Sequence, residues 1–458
     1  MPSALTAPPS IAQPNAISLR RGATRSPFVH SALRCFSLSP SHELRFPSNL
    51  HLFRPVADLT TQYLGSDNSA LYRLLLGPIA DSLAPRLPRS LAPNAITLFG
   101  LLLITLSSAA TVASSPSLSG RLSPHSTTFI PHFSTAAPHH HAPVSLPSPA
   151  GEVSRSNCAL YGICLLVYQT LDNLDGRQAR RTGSSSPLGL LFDHCADALC
   201  TAVGSISTCA TFGLANEHPL APLALVSAVC VPLALSTWEQ LCTGVFRLPT
   251  VNAPSDGLLA QALLMLFTAV LGPGLWQQRS RRLYLGFVVA CSLASSISSA
   301  LEVHKCSHRG VARSLKPLIH VVLPPATALI WYAAAGPATL GIITLPLSVG
   351  LLIAAQVQEI LLAHMVGRSD ARENFLRPPG VAAPMLIALG ASFIAGISQY
   401  QGEPIASEPA KTLAVTYATL SAATYAFNAL SILRACSRAL NVPILKLQSE
   451  PVKRNKAS

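Results

Sequence analysis

Leu171-Asp172-Asn173-Leu174-Asp175-Gly176-Arg177-Gln178-Ala179-Arg180 closes one apolar run, Asn157–Leu171, and Asp193 and Asp197 lie inside the next, Leu188–Ala210. A carboxylate within an apolar segment is costly unless it is paired or meets a ligand, so such residues mark functional sites. Asp172 and Asp175 are three residues apart and share a helix face, while Asp193 and Asp197 are four apart and share another. Between the two runs, Thr182-Gly183-Ser184-Ser185-Ser186-Pro187 has the chemistry of a helix break, with a glycine to end one helix and Ser-Pro to begin the next. Two helices joined in this way can gather four carboxylates.

The rest of the chain agrees with a membrane setting. Its 458 residues are 49% hydrophobic and only 11% charged, with a mean hydropathy of +0.41. Apolar stretches, most of them long enough to cross a hydrocarbon core of roughly 30 Å, are expected at Ala92–Ala113, Asn157–Leu171, Leu188–Ala210, Leu220–Trp238, Leu258–Leu275, Leu283–Leu301, Pro317–Ala335, Leu340–Leu362, Val381–Ile397 and Leu413–Leu433. The fold class is therefore all-α: a polytopic membrane bundle of about ten transmembrane helices. Ahead of the first span, Ala70–Leu91 places apolar residues at helical spacing around Arg73, Asp81, Arg86 and Arg89, as in a helix lying in the membrane interface.

Domain organisation follows from the same pattern. Residues 1–55 form a Ser-, Pro- and Arg-rich tail read as disordered, whose composition fits either a cytosolic tail or an organelle-import leader. Residues 56–91 hold the interfacial helix, and 92–435 the transmembrane domain. That domain is interrupted by a low-complexity insert at 114–156, and 436–458 form a basic tail. The run His139-His140-His141 in the insert lacks the fixed geometry of a metal site. The net charge of +13 sits in short segments beside apolar spans, which suits orientation in an anionic membrane and excludes a nucleic-acid-binding role. Eleven cysteines are scattered without a CxxC pair, so neither a disulfide framework nor a zinc site is expected. With a cytosolic N-terminus, most basic loops fall on the cytosolic side; Arg279, Arg281 and Arg282 are the exception.

Four like charges at contact distance in a low dielectric call for a cation, and carboxylate oxygens select Mg²⁺, Mn²⁺ or Ca²⁺. A site holding two divalent ions on Asp172, Asp175, Asp193 and Asp197 is the inference. The competing structural reading is buried ion pairing, Asp175 with Arg177 or Asp193 with Arg180, between packed helices. Gly176, Ala179 and Gly189 leave room for a ligand or for close helix packing, and Arg180 offers a planar donor fork suited to phosphate.

These residues resemble the CDP-alcohol phosphotransferase family, whose motif reads D-x2-D-G-x2-A-R-x8-G-x3-D-x3-D. Asp172, Asp175, Gly176, Ala179, Arg180, Gly189, Asp193 and Asp197 occupy every fixed place. Further runs are similar to the eukaryotic choline/ethanolamine phosphotransferase branch: Ala92-Pro93-Asn94-Ala95-Ile96-Thr97-Leu98, Tyr168-Gln169-Thr170-Leu171, Phe192-Asp193-His194, Trp238-Glu239 and Asn252-Ala253-Pro254-Ser255-Asp256-Gly257. The resemblance implies transfer of phosphoethanolamine or phosphocholine from CDP-ethanolamine or CDP-choline to diacylglycerol, with CMP leaving and two Mg²⁺ or Mn²⁺ ions as cofactors. It implies CDP contacts at Asn94, Gly176, Ala179, Arg180 and Gly189, a general base at His194 or Asp197, and headgroup contacts at Trp238, Glu239 and Asn252. Expected partners are the CDP-alcohol, diacylglycerol and the lipid bilayer, with a homodimer admitted. The expected setting is the endoplasmic reticulum membrane, or the Golgi, with the active site on the cytosolic face. One departure stands out: Leu190 occupies the place after the motif glycine where the branch has Glu, which puts a Glu–His relay in doubt. Competing readings are a family member with an inositol or glycerophosphate acceptor, a silent scaffold, or an ion transporter using the same carboxylates.

Overall fold

The aspartate-bearing runs form two helices broken where the Gly and Ser-Pro pattern requires. The computed structural model describes residues 65–67, 69–115, 153–248, 252–306, 318–335, 343–366 and 407–447, all within the unit Pro55–Ser458. A helical segment with a π-helical turn at Tyr72–Leu76 leads into α1, Gly77–Leu83. There follow α2, Pro93–Ala113; α3, Arg155–Thr182; α4, Pro187–Phe212; the short α5, Leu214–Glu217; α6, Ala221–Thr243; α7, Leu258–Leu271; α8, Gln278–Cys306; α9, Leu318–Ala335; α10, Thr344–Val366; and α11, Ser407–Leu440.

Of these, α2, α4, α6, α8 and α10, together with the stretch Pro254–Leu271 that contains α7, are long and apolar enough to cross a membrane. The chain is a multi-pass helical membrane protein. Nine of the ten apolar stretches expected from sequence coincide with helices, and Val381–Ile397 lies outside the described residues. So do the 1–55 tail, most of the 114–156 insert and the end of the basic tail. Among the described residues, α3 carries too much charge at its C-terminal end to count as an apolar span, and it is this end that holds Asp172 and Asp175.

Local chemistry explains the break between α3 and α4. Gly183 adopts a left-handed φ of 68° that closes α3, the Ser186 hydroxyl accepts from the Gly189 amide at 3.2 Å, and Pro187 opens α4. α2 packs against both helices of the pair, α7 packs against α3, and α6 and α10 pack against α4. Close approach is achieved by small residues. A Cβ on Gly162 would lie 3.0 Å from the Leu266 side chain and 3.1 Å from the Ala262 carbonyl of α7.

The all-α expectation meets one small exception. Gly65–Asp67 pairs in parallel with Phe246–Leu248, tying the chain ahead of α1 to the turn after α6. The last helix also runs to Leu440, five residues past the expected domain end at 435, and stops at Asn441 with a left-handed φ of 53°.

Two of the three arginines opposite the expected charge bias, Arg281 and Arg282, have local partners. Arg281 donates from Nε to the Phe212 carbonyl at 2.9 Å, answering an orphan acceptor at the end of α4. Arg282 pairs with Glu217 of α5. Fixed helix-end contacts thus account for two of the three cations there.

Candidate active site

Helices α3 and α4 bring one carboxylate oxygen each from Asp172, Asp193 and Asp197 within 4.8 Å of one another. Asp172 projects from the C-terminal half of α3; Asp193 and Asp197 stand one turn apart on the first half of α4, so the helix break lets them face each other. One oxygen of Asp172 and one of Asp193 are buried without a hydrogen-bond partner among the described residues. Buried carboxylate oxygens left without donors are costly, and hard oxygen donors suit Mg²⁺ or Mn²⁺. The donor set fits a divalent cation.

Asp175 stands apart from that triad. Its Oδ2 accepts a short hydrogen bond from the Thr97 hydroxyl on α2. Asp197 accepts from the Tyr168 hydroxyl at 2.7 Å. Thr97 and Tyr168 are the supporting residues that the sequence reading missed. Both lie inside runs quoted for their family likeness, and that likeness was the available signal.

The ion pairs offered as a structural explanation do not form. Arg177 turns away from Asp175 and pairs with Asp81 of α1 at 2.6 Å, over the Tyr72 ring, while also donating to the Asn173 and Gly77 carbonyls. Arg180 is exposed and makes no ion pair among the described residues. Its Nη1 reaches back to 3.6 Å from where a Cβ on Gly176 would lie. On the partner helix the Asn94 Oδ1 lies 3.6 Å from the corresponding position on Gly189, and Asn94 Nδ2 donates to the Ile444 carbonyl at 2.7 Å. The two glycines therefore remove side-chain bulk beside one guanidinium and one amide. Ala179 lies one residue before Arg180 on the same helix.

His194 is buried at 6% exposure. Its Nδ1 lies 3.2 Å from the Leu190 carbonyl and 3.8 Å from Asp193 Oδ2, and its ring meets Phe246 edge-on at 5.2 Å. The carbonyl can only accept, so Nδ1 carries the proton in that contact and Nε2 is the basic nitrogen of the neutral ring. The position that lacks a Glu side chain still orients the histidine, through its main chain.

The expected headgroup residues divide. Trp238 packs in the apolar core at 2% exposure, and Glu239 is buried beside it. Asn252 organises the turn before α7: its Oδ1 accepts from the Ser255 amide and its own amide donates to Asp256 Oδ2, both at 2.8 Å. Gln169, three residues before Asp172, donates to the Ser255 carbonyl at 2.7 Å, and Ser69 donates to Asp256 at 2.6 Å. That turn thus braces both α3 and the segment ahead of α1.

A helical membrane domain with a buried, cation-fitting aspartate cluster at a helix break defines the class of protein. Residues 90–297 match the CDP-alcohol phosphatidyltransferase family. The chain is 26% identical to a class-I CDP-alcohol phosphatidyltransferase family protein of Dictyostelium discoideum, over 76% of this chain and 86% of that one. It is 32% identical to choline/ethanolaminephosphotransferase 1 of Arabidopsis thaliana, over 48% of this chain and 47% of the relative. To the CDP-diacylglycerol–serine O-phosphatidyltransferase of Encephalitozoon cuniculi it is 33% identical, over 47% of each. The matched region spans about half the length of the latter two.

Proposed function

We propose that the chain transfers phosphoethanolamine or phosphocholine from CDP-ethanolamine or CDP-choline to diacylglycerol, releasing CMP. The observation that carries this reading is the convergence of Asp172, Asp193 and Asp197 within 4.8 Å at the α3–α4 break, inside a domain of a family named for CDP-alcohol chemistry. Asp172, Asp193 and Asp197, with Asp175 behind them, would hold one or two Mg²⁺ or Mn²⁺ ions. Bound there, a divalent ion neutralises charge on the donor diphosphate and on the departing phosphate.

The chain's own groups supply the rest. Arg180 binds a diphosphate oxygen, and the open surfaces at Gly176 and Gly189 admit the nucleotide beside Asn94. His194 takes the proton of the diacylglycerol hydroxyl on Nε2 as that oxygen bonds to the phosphorus nearest the alcohol. The bond from that phosphorus to the CMP oxygen breaks, and CMP leaves with the electron pair. The Leu190 carbonyl holds the ring in the tautomer this needs.

A second reading rests on the serine enzyme among the relatives, which covers the same region at similar identity: CDP-diacylglycerol as donor and a small alcohol as acceptor. One assay separates the two. Membranes containing the full chain are given diacylglycerol with CDP-ethanolamine or CDP-choline, or CDP-diacylglycerol with serine or inositol, each with and without Mg²⁺ or Mn²⁺. Metal-dependent CMP release with the first pair alone supports the proposal; release with the second pair alone replaces it. Fractionation of tagged full-length chain tests the endoplasmic reticulum assignment. Retention of the full rate in His194→Ala removes that residue as the base.

A further inference from the structure

The family match ends at residue 297, yet a segment well beyond it reaches the site. Helix α11 stops where Asn441 turns left-handed, with a φ of 53°. Two bonds fix the reversal: the Val442 amide donates to the Ser437 carbonyl at 3.1 Å, and the Ser437 hydroxyl donates to the Val442 carbonyl at 2.7 Å. Beyond the turn, Val442 and Ile444 pack against the cluster that contains Leu188 and Leu191 of α4. Burial of these apolar side chains seats residues 441–447 beside the start of α4.

The contact of this segment with α2 is polar. Asn94 Nδ2 donates to the Ile444 carbonyl at 2.7 Å, across 350 residues of chain. A carbonyl can only accept, so this bond decides which way the amide points. Nδ2 faces Ile444, and Oδ1 faces Gly189, 3.6 Å from where a Cβ on that glycine would lie. Asn94 and Gly189 are both partly exposed, and among the described residues Oδ1 accepts no hydrogen bond. Gly189 stands four residues before Asp193 on α4, a rise of about 6 Å. An accessible acceptor of fixed direction thus lies one helical turn from the aspartate cluster.

We propose that residues 441–447 complete the nucleotide end of the site, holding Asn94 as a hydrogen-bond acceptor that reads a donor group of the nucleoside. The inference rests on the reading of a CDP-linked donor. With its diphosphate at the aspartates, the nucleotide passes the bare backbone of Gly189 and its nucleoside meets Asn94 Oδ1. That oxygen takes only an N–H or O–H. Cytidine offers the 4-amino group of its base and the 2′-hydroxyl of its ribose; uridine lacks the first and 2′-deoxycytidine the second. The part played by 441–447 is positioning, because Ile444 acts through Asn94 and not on the reacting atoms.

The test is calorimetric titration of CMP, UMP and 2′-deoxyCMP into full-length chain in phosphatidylcholine nanodiscs with Mn²⁺, a readout independent of turnover. One analogue is expected to bind about tenfold more weakly than CMP, or ~1.4 kcal/mol, and its identity names the group that Asn94 reads. Asn94→Leu should bring CMP down to the level of that analogue. Equal binding of all three nucleotides overturns the proposal, as does a difference that survives in Asn94→Leu. The segment itself is probed at Asn441, away from the ligand: Asn441→Val strains the left-handed turn, whereas Asn441→Gly relaxes it. Asn441→Val should weaken CMP binding and raise the KM for the CDP-alcohol, with the KM for diacylglycerol within about twofold of wild type, and Asn441→Gly should match wild type. Unchanged CMP affinity in Asn441→Val overturns the role of the segment, as does a fall in stability with all constants affected alike. A chain that binds CMP with this selectivity but releases none from CDP-ethanolamine or CDP-choline leaves the inference standing while the proposed function falls.

Discussion

The Tyr168 hydroxyl donates to Asp197 Oδ1 at 2.7 Å, so a residue of α3 orients a carboxylate of α4 across the helix break. Tyr168 is itself buried at 2% exposure, with its ring against Gly100 of α2, where an added Cβ would stand 3.2 Å from Tyr168 Cδ2. The carboxylate cluster is thus supported through three helices. Outer partners of metal ligands commonly contribute about 10–100-fold in affinity or activity.

Tyr168→Phe keeps the ring and removes only the hydroxyl. CMP release is expected to fall about 10–100-fold, with a higher Mn²⁺ concentration needed for half-maximal rate and little change in expression. A metal titration of the purified variant in nanodiscs reads this directly, and an unchanged midpoint would remove Tyr168 from the support of the site.

Gly100→Val acts on the same contact from the other side. A branched side chain there must displace the Tyr168 ring, and overpacking of this kind costs about 1–3 kcal/mol. The thermal midpoint should drop, and residual folded protein should show the weakened Mn²⁺ dependence of Tyr168→Phe. Loss of stability with a normal metal midpoint would show that the ring and its hydroxyl are decoupled.

Asp172→Asn separates fold from chemistry. Taking one carboxylate from a crowded buried set relieves like-charge repulsion, so metal-free protein should melt no lower than wild type. Added Mn²⁺, which raises the wild-type midpoint through binding, should leave the variant's unmoved, and CMP release should fall by more than about a hundredfold. A metal-induced shift preserved in full would contradict the assignment of Asp172 as a ligand.

Arg177 holds the Asp81 carboxyl below its ordinary value, chiefly through their hydrogen bond. Because the folded pKa is depressed, any stabilisation is present above the unfolded value of about 3.9 and fades as pH falls through the lower folded one. Between about pH 6 and 9 Asp81 stays ionised, so any difference between wild type and Asp81→Asn should not vary with pH there. Arg177→Met, which also loses the donors to Asn173 and Gly77, should lower the thermal midpoint; parallel melting and rate profiles of both variants check this.

The helices were legible because their signals are local. Apolar runs of spanning length, Gly183, and the Ser186-Pro187 start lie within the stretches they shape, and the motif spacing of Asp172, Asp193 and Asp197 already put them on facing helix surfaces. What sequence alone left open were contacts between distant segments. Whether Arg177 meets Asp175 or Asp81 depends on where α1 lies, 96 residues away. Thr97 reaches Asp175 across 78 residues, and the Leu190 carbonyl replaces a missing side chain only because α4 orients the His194 ring back along its own axis. A helix's periodicity says which residues share a face. The partner that face meets is chosen by the packing of the whole bundle, and that choice separated three gathered aspartates from the fourth held by a threonine.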